Sequence, residues 1–222
     1  MKTVVITGTS RGIGRALVTK FLAEGYKVIG TATSGKTDIT DPKFEVVKLD
    51  LSNPKSITEA VKTINNKTDK IDILINSSGI NLEDWDVTNM DVLILRKTIE
   101  VNLIGLIDFT ERLISKITKG GQIINISSRM GSLTKDFTDN PADNPSYRIS
   151  KTALNMYTKT LAARLKKQDI TVSSVHPGWV KTYLGGEDAP RQPEEAAEQI
   201  FKLATTPHTT GKFWYDNEEF PW

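Results

Sequence analysis

The 222-residue chain contains no cysteine, which excludes disulfides and thiolate metal sites. It has only two histidines, His176 and His208, too few for a histidine-rich metal site. Charge of one sign is also lacking: the formal net charge is +2, so nothing in the overall field favours nucleic acid or an anionic membrane. No run approaches the roughly 20 apolar residues of a membrane span. The apolar run at Val4 to Ile6 is far shorter than the core of a signal peptide. No repeat, low-complexity tract or interdomain linker interrupts the chain. The expectation is a single cytoplasmic domain over residues 1–222, binding neither metal, membrane nor nucleic acid.

What is present is a regular alternation of strand-like and helix-like segments. Strands are expected at 2–7, 26–33, 44–50, 71–78, 122–128, 171–177 and 211–215. Helices are expected at 15–23, from Asn53-Pro54 to about 65, over 91–118 and 146–167, and after Pro193. The link from Ser34 to Lys43 is too short for a full helix. The pattern predicts an α/β fold, a doubly wound (Rossmann-type) sheet of seven parallel strands with helices on both faces. Ligands on such sheets bind beyond the carboxyl ends of the strands, so functional motifs should stand just after strands.

The first such place reads TGTSRGIG, Thr7 to Gly14. Gly8 to Gly12 spells G-x-S-x-G, the nucleophile elbow of serine hydrolases. That reading fails on position, because the elbow's oxyanion hole needs a loop after an earlier strand and none precedes Ser10. Ser10 serves equally well as a local cap of the following helix. The alternative is a phosphate loop. Gly8, Gly12 and Gly14 allow a tight turn and close approach of backbone to a pyrophosphate, and amides at the helix start face the anion. The spacing is G-x-x-x-G-x-G, because Leu17 stands where the general fingerprint requires glycine.

Further motifs follow the later strands in order. They are DLSNP (50–54), NSSG (76–79), VNLIG (101–105), INISSRMG (124–131), YRISK (147–151) and HPGWVKT (176–182). Together with the glycine loop, this series resembles the short-chain dehydrogenase/reductase family along the whole chain. The segments starting at Tyr147 and His176 look most like the sniffer-like and C-factor-like carbonyl reductases of that family. The resemblance implies a catalytic set of Asn102, Ser128, Tyr147 and Lys151. It also implies that Asn102 holds a helix distortion and a water, and that Lys151 reaches the nicotinamide ribose. In the glycine loop, Gly8, Ser10, Arg11, Gly12, Ile13 and Gly14 would contact the cofactor. Asp50 and Leu51 would meet its adenine, and Asn76, Ser78 and Gly79 would line its path. Pro177 and Gly178 would set a turn that brings Val180 and Thr182 to the carboxamide.

The residue types suit this chemistry. Tyr147 and Lys151 are four apart and share a helix face. A free phenol titrates near pH 10, and a neighbouring ammonium is expected to lower that value so that Tyr147 can act as general acid and base. The same spacing also fits an ordinary surface helix. Ser127 and Ser128 point to opposite faces of a strand; the family's S-x-x-G pattern selects Ser128, placed to hydrogen-bond a substrate oxygen.

The end of the second strand reads TATSGK and carries no acid to take a ribose hydroxyl. Asp38 comes later, in a loop from which it could swing in. Arg11, with Thr33, Ser34 and Lys36, offers donors for a 2′-phosphate instead. NADP(H) is therefore expected over NAD(H), with a small carbonyl or alcohol compound as substrate. His176 is expected to be structural and His208 solvated. Trp179 and Tyr183 either line the substrate side or pack. The stretch 133–146 is expected to rim the entrance, and the brief lid after Thr182 suggests loose substrate choice. The helices near 91–118 and 146–167 are where a homodimer would form. A silent NADP-binding sensor or interaction module is the alternative; the intact Asn102, Ser128, Tyr147 and Lys151 set argues against it.

Overall fold

A computed structural model describes residues 1–83, 89–134 and 143–222. The chain runs β1 (Thr3–Ile6), α1 (Gly12–Ala23), β2 (Lys27–Ala32), β3 (Phe44–Lys48), α2 (Pro54–Lys67) and β4 (Ile71–Asn76). It continues with α3 (Val92–Ile99), a π-helical turn (Glu100–Ile104), α4 (Gly105–Leu113) and β5 (Ile117–Ile126). It ends with α5 (Pro145–Leu165), β6 (Thr171–Val175), α6 (Pro193–Thr205), β7 (Lys212–Tyr215) and β8 (Glu218–Phe220).

Among the described residues, eight strands form one sheet in the order β3-β2-β1-β4-β5-β6-β7-β8. The first seven are parallel and β8 is antiparallel to β7. The order reverses between β1 and β4, which opens a crevice at their carboxyl ends. Strand alternation divides the core in two. Val5, Ile29, Leu74 and Ile123 face α2, α4 and α5. Val4, Ile6, Val28, Ile75 and Ile124 face α1 and α6, where Leu17, Phe21, Ile200 and Leu203 close the layer. Runs buried on both faces read as continuous apolar stretches, as IDILIN does.

The sheet differs from the seven-strand expectation by β8. Asp216 and Asn217 both have positive φ, 46° and 69°, the signature of a two-residue type I′ hairpin. That Asp-Asn pair returns the chain along β7, whose outer edge would otherwise lie open. The helical stretch expected over 91–118 is two helices joined by the π turn, and its last residues already belong to β5. Gly120, at φ 75°, lies inside β5, where the pairing with β4 shifts register between Ile71 and Ile73. The Ser34–Lys43 link holds no helix, as its length required. The stretch 133–146 lies mostly outside the described residues.

Candidate active site

A cleft of about 410 Å³ opens over the carboxyl ends of β1, β4, β5 and β6. Its floor at the switch point is the turn from β1 to α1. Gly8 and Gly12 take positive φ, 73° and 55°. A Cβ on Gly8 would stand 2.9 Å from Ser78 Oγ, and one on Gly14 would stand 2.2 Å from the Gly8 carbonyl oxygen. Only glycine fits this close packing of loop, helix and neighbouring strand end. Thr7 Oγ1 accepts from the amides of Ser77 (2.9 Å) and Ser78 (3.0 Å), tying the β4 loop to the β1 loop. Arg11 occupies the N-cap position of α1, and no side chain caps the helix start. Amides at that start are left for an anion, with the helix dipole behind them. The groups present fit a dinucleotide pyrophosphate.

Gly8, Ser10, Arg11, Gly12, Ile13, Gly14, Thr33, Asp50, Leu51, Ser78 and Gly79 all line the cleft. Tyr147, Lys151, Pro177, Gly178, Val180 and Thr182 line it from the other side. Ser34 does not reach it: its hydroxyl closes a local turn with the Lys36 amide at 3.2 Å. Asn76 is also outside the lining. It is fully buried, and its amide donates to Thr110 Oγ1 (2.9 Å) and Asn125 Oδ1 (2.8 Å), bracketing the sheet to α4 beneath the cleft. Asp38 forms an exposed ion pair with Arg15. Arg11 lies over the ring of Tyr183, 4.4 Å from its centre.

At the other end of the cleft, β5 delivers Ser127 and Ser128 on opposite faces. The Ser127 hydroxyl is buried and donates to the Lys151 carbonyl at 3.4 Å. Ser128 Oγ accepts from the Met130 amide at 3.2 Å and lies near enough to the Tyr147 hydroxyl to favour its ionised form. The π turn between α3 and α4 carries Asn102, buried with no exposed surface. Its Oδ1 accepts from the Ile80 amide (2.8 Å), while Nδ2 donates to the Ile80 carbonyl (2.8 Å) and to Ser150 Oγ (3.1 Å). Asn102 thus holds the β4 loop against α5. Lys151 donates to the Ile126 carbonyl at 2.8 Å, and its ammonium stands 5.5 Å from the centre of the Tyr147 ring.

The electrostatics reverse one expectation. The Tyr147 phenol is pushed up to about 12, by burial first, with the Ser128 hydrogen bond pulling the other way. Burial also lowers Lys151 to about 8. Desolvation is the largest cause for both groups, and the Lys151 ammonium donates to a backbone carbonyl rather than to the phenol. Tyr147 is therefore held as a neutral phenol, a proton donor at physiological pH.

The histidines are engaged elsewhere. His176 stacks on Tyr215, with ring centres 4.8 Å apart, and burial lowers it to about 3. His208 is not solvated as expected: its Nε2 lies 2.9 Å from Ser173 Oγ, and it is half-buried edge-on to Trp214. Neither ring serves Ser10, which is exposed in its loop. Among the described residues no cluster of acids and histidines can hold a metal ion.

Asn81 and Met130 line the cleft without having been expected there, while Asn144, also in the lining, belongs to the stretch 133–146 expected to rim the entrance. Asn144 had a local signal, the Asn-Pro step that starts α5. Asn81 had none. Trp179 and Tyr183 both reach the cleft rim, and the Trp179 indole donates to the Gly185 carbonyl at 2.7 Å, closing the short lid on itself.

Residues 2–193 match the family model described as short chain dehydrogenase. The chain is 33% identical over 210 residues to the 3-oxoacyl-(acyl-carrier-protein) reductase of Aquifex aeolicus, covering 90% of this chain and 82% of that protein. Among solved structures it is similar to the carbonyl reductase Sniffer of D. melanogaster, with TM-score 0.87, 26% identity and all of both chains covered. It is also similar to a short-chain dehydrogenase/reductase from Burkholderia multivorans with bound NADP, with TM-score 0.88 and 25% identity over 100% of this chain and 99% of that one.

Proposed function

The chain belongs to the short-chain dehydrogenase family, an oxidoreductase family that uses a nicotinamide cofactor on small molecules, and from that premise we propose that it is an NADP(H)-dependent carbonyl reductase. Residues 1–222 act as one dinucleotide-binding domain. The observation that carries the reading is the convergence of Ser128, Tyr147 and Lys151 on one cleft that the glycine loop also lines.

Tyr147, kept neutral by burial, gives its proton to the carbonyl oxygen of the substrate. Ser128 Oγ, beside the phenol in the cleft lining, donates to the same oxygen as negative charge develops. The Lys151 ammonium stabilises the phenolate that Tyr147 becomes, and offers donors to the ribose. When bound, the nicotinamide supplies the hydride. Asn102 keeps the β4 loop and α5 in register. In the opposite direction Tyr147 must first lose its proton to solvent, and the resulting phenolate, beside the Lys151 ammonium, accepts the alcohol proton.

At the glycine loop, the free amides of Gly12 to Gly14 receive the pyrophosphate, and Asp50 and Leu51 border the adenine. Arg11 and Thr33, with no acid at the end of β2, favour a 2′-phosphate over a bare ribose hydroxyl. Arg11 moves from the Tyr183 ring to that phosphate. Val180 and Thr182, which line the cleft, would meet the carboxamide. The Burkholderia neighbour, with its bound NADP, supports this preference by analogy.

No described helix is long and apolar enough to cross a membrane, and we place the enzyme in the cytoplasm. Exposed Val92, Leu93, Ile104, Ile149 and Met156, on the stretch from α3 to the π turn and on α5, support a homodimer paired there; a monomeric mass in solution would exclude it. The test of function is an NADPH-oxidation screen over aldehydes, ketones and quinones. Turnover of several classes is expected from the short lid. A single accepted substrate would refute loose specificity, and none at all would refute the reductase.

A further inference from the structure

The helix that carries Tyr147 and Lys151 begins badly by its own means. Its N-cap residue, Asn144, sits in the left-handed region at φ 53°, ψ 51°, and makes no side-chain cap. The residue before a proline strongly prefers extended backbone, so Asn144 ahead of Pro145 is strained. No acid stands in the first turn of α5. Helix starts without a cap leave amides unsatisfied, and here Ser146 is fully buried.

The missing cap comes from 63 residues away, on the β4 loop. Glu83 accepts from the Ser146 amide with both carboxylate oxygens, at 3.1 and 2.9 Å. It accepts from the Ser146 hydroxyl at 2.6 Å and from the Tyr147 amide at 3.4 Å. Asn81 Nδ2 donates to Asn144 Oδ1 at 2.6 Å, holding the strained residue from the same loop. That loop is itself pinned by Asn102 at Ile80. The negative carboxylate also lies at the positive end of α5, where the helix dipole favours it.

We propose that Glu83 is a positioning residue for Tyr147, a cap supplied in trans from the β4 loop that sets the height and rotation of the first turn of α5. It touches neither substrate nor cofactor in this role. Its effect is on where the phenol stands relative to Ser128. The proposal deepens the reductase reading and, as far as turnover is concerned, rests on it.

Two variants test it, Glu83→Ala and Glu83→Gln. A misplaced general acid costs chemistry rather than cofactor binding, so Glu83→Ala should lower kcat about 10- to 100-fold per folded enzyme. KM for NADPH should stay within about twofold. Deuterium at the transferred position of NADPH should slow the variant more than the wild type, as chemistry becomes limiting. Glu83→Gln keeps one acceptor oxygen for the amides and should restore most of kcat. Amide exchange gives a readout independent of turnover: the Ser146 and Tyr147 amides should exchange about tenfold faster or more in Glu83→Ala. Unchanged exchange there, or unchanged kcat alongside a Tyr147→Phe variant that is inactive, would overturn the proposal. An inactive wild type with faster exchange in Glu83→Ala would refute the reductase reading and leave the cap standing.

Discussion

Lys151→Met should make the protein more stable at neutral pH while stopping turnover. The lysine is 3% exposed, and burial lowers its pKa from 10.5 to about 8. That fall corresponds to about 3 kcal/mol against the charged form, at about 1.4 kcal/mol per tenfold. Methionine keeps the apolar stem and removes the charge. It also gives up the hydrogen bond to the Ile126 carbonyl, a loss of about 1 kcal/mol. The net gain is about 2 kcal/mol, or about 4–8 °C in Tm for a chain of this size. The sign with pH follows from the depressed value. Below about 8 the lysine is charged in both the folded and the unfolded chain, and the full penalty is present. As pH rises from about 8 towards 10.5, the folded protein sheds its proton before the unfolded chain does, and the penalty fades. The advantage of Lys151→Met should therefore be largest at pH 7 and shrink by pH 10. Thermal unfolding of both proteins without cofactor, at several pH values, measures this. A variant no more stable than wild type at pH 7, or an advantage that does not change with pH, would refute the reasoning.

Arg11→Ala removes the donor assigned to the 2′-phosphate. It should raise KM for NADPH about 10- to 100-fold and leave KM for NADH nearly unchanged, as loss of a charged hydrogen bond requires; steady-state kinetics with both cofactors check it. Asn102→Ala breaks three hydrogen bonds of a fully buried side chain, two to Ile80 and one to Ser150. It should cost about 3 kcal/mol and lower Tm by about 6–12 °C, read by calorimetry.

Much of the fold was legible because each motif stands at a strand end. Thr7, Asp50, Asn76, Ser128 and His176 close apolar runs that could only be buried strands, and the sheet order then brings them to one edge. The short Ser34–Lys43 link announced its lack of helix by length alone. β8 was marked by its Asp-Asn turn, but a three-residue strand following it carries too little periodicity to be read. The distortion at Asn102 was expected through the resemblance of VNLIG rather than through periodicity, since the π turn is held by Ile80 and Ser150 from elsewhere in the chain. The direction of the Tyr147 shift was misread for a related reason. Four-residue spacing puts Lys151 near the ring, but only the packing tells that both groups are desolvated and that the ammonium bonds to Ile126. Glu83 was invisible because its partners lie across the cleft and nothing around it looks like a cap. Asn76 belongs to a motif that reads as cofactor contact, yet the buried bracket to Thr110 and Asn125 turns its amide inward.

The most direct test compares initial rates of NADPH oxidation by the wild type and Tyr147→Phe, on one accepted carbonyl compound, with NADPH affinity measured in parallel. The account predicts a fall in kcat of about 10²- to 10⁴-fold from loss of the proton donor, with NADPH affinity unchanged. A phenylalanine variant that reduces the carbonyl at the wild-type rate would contradict it.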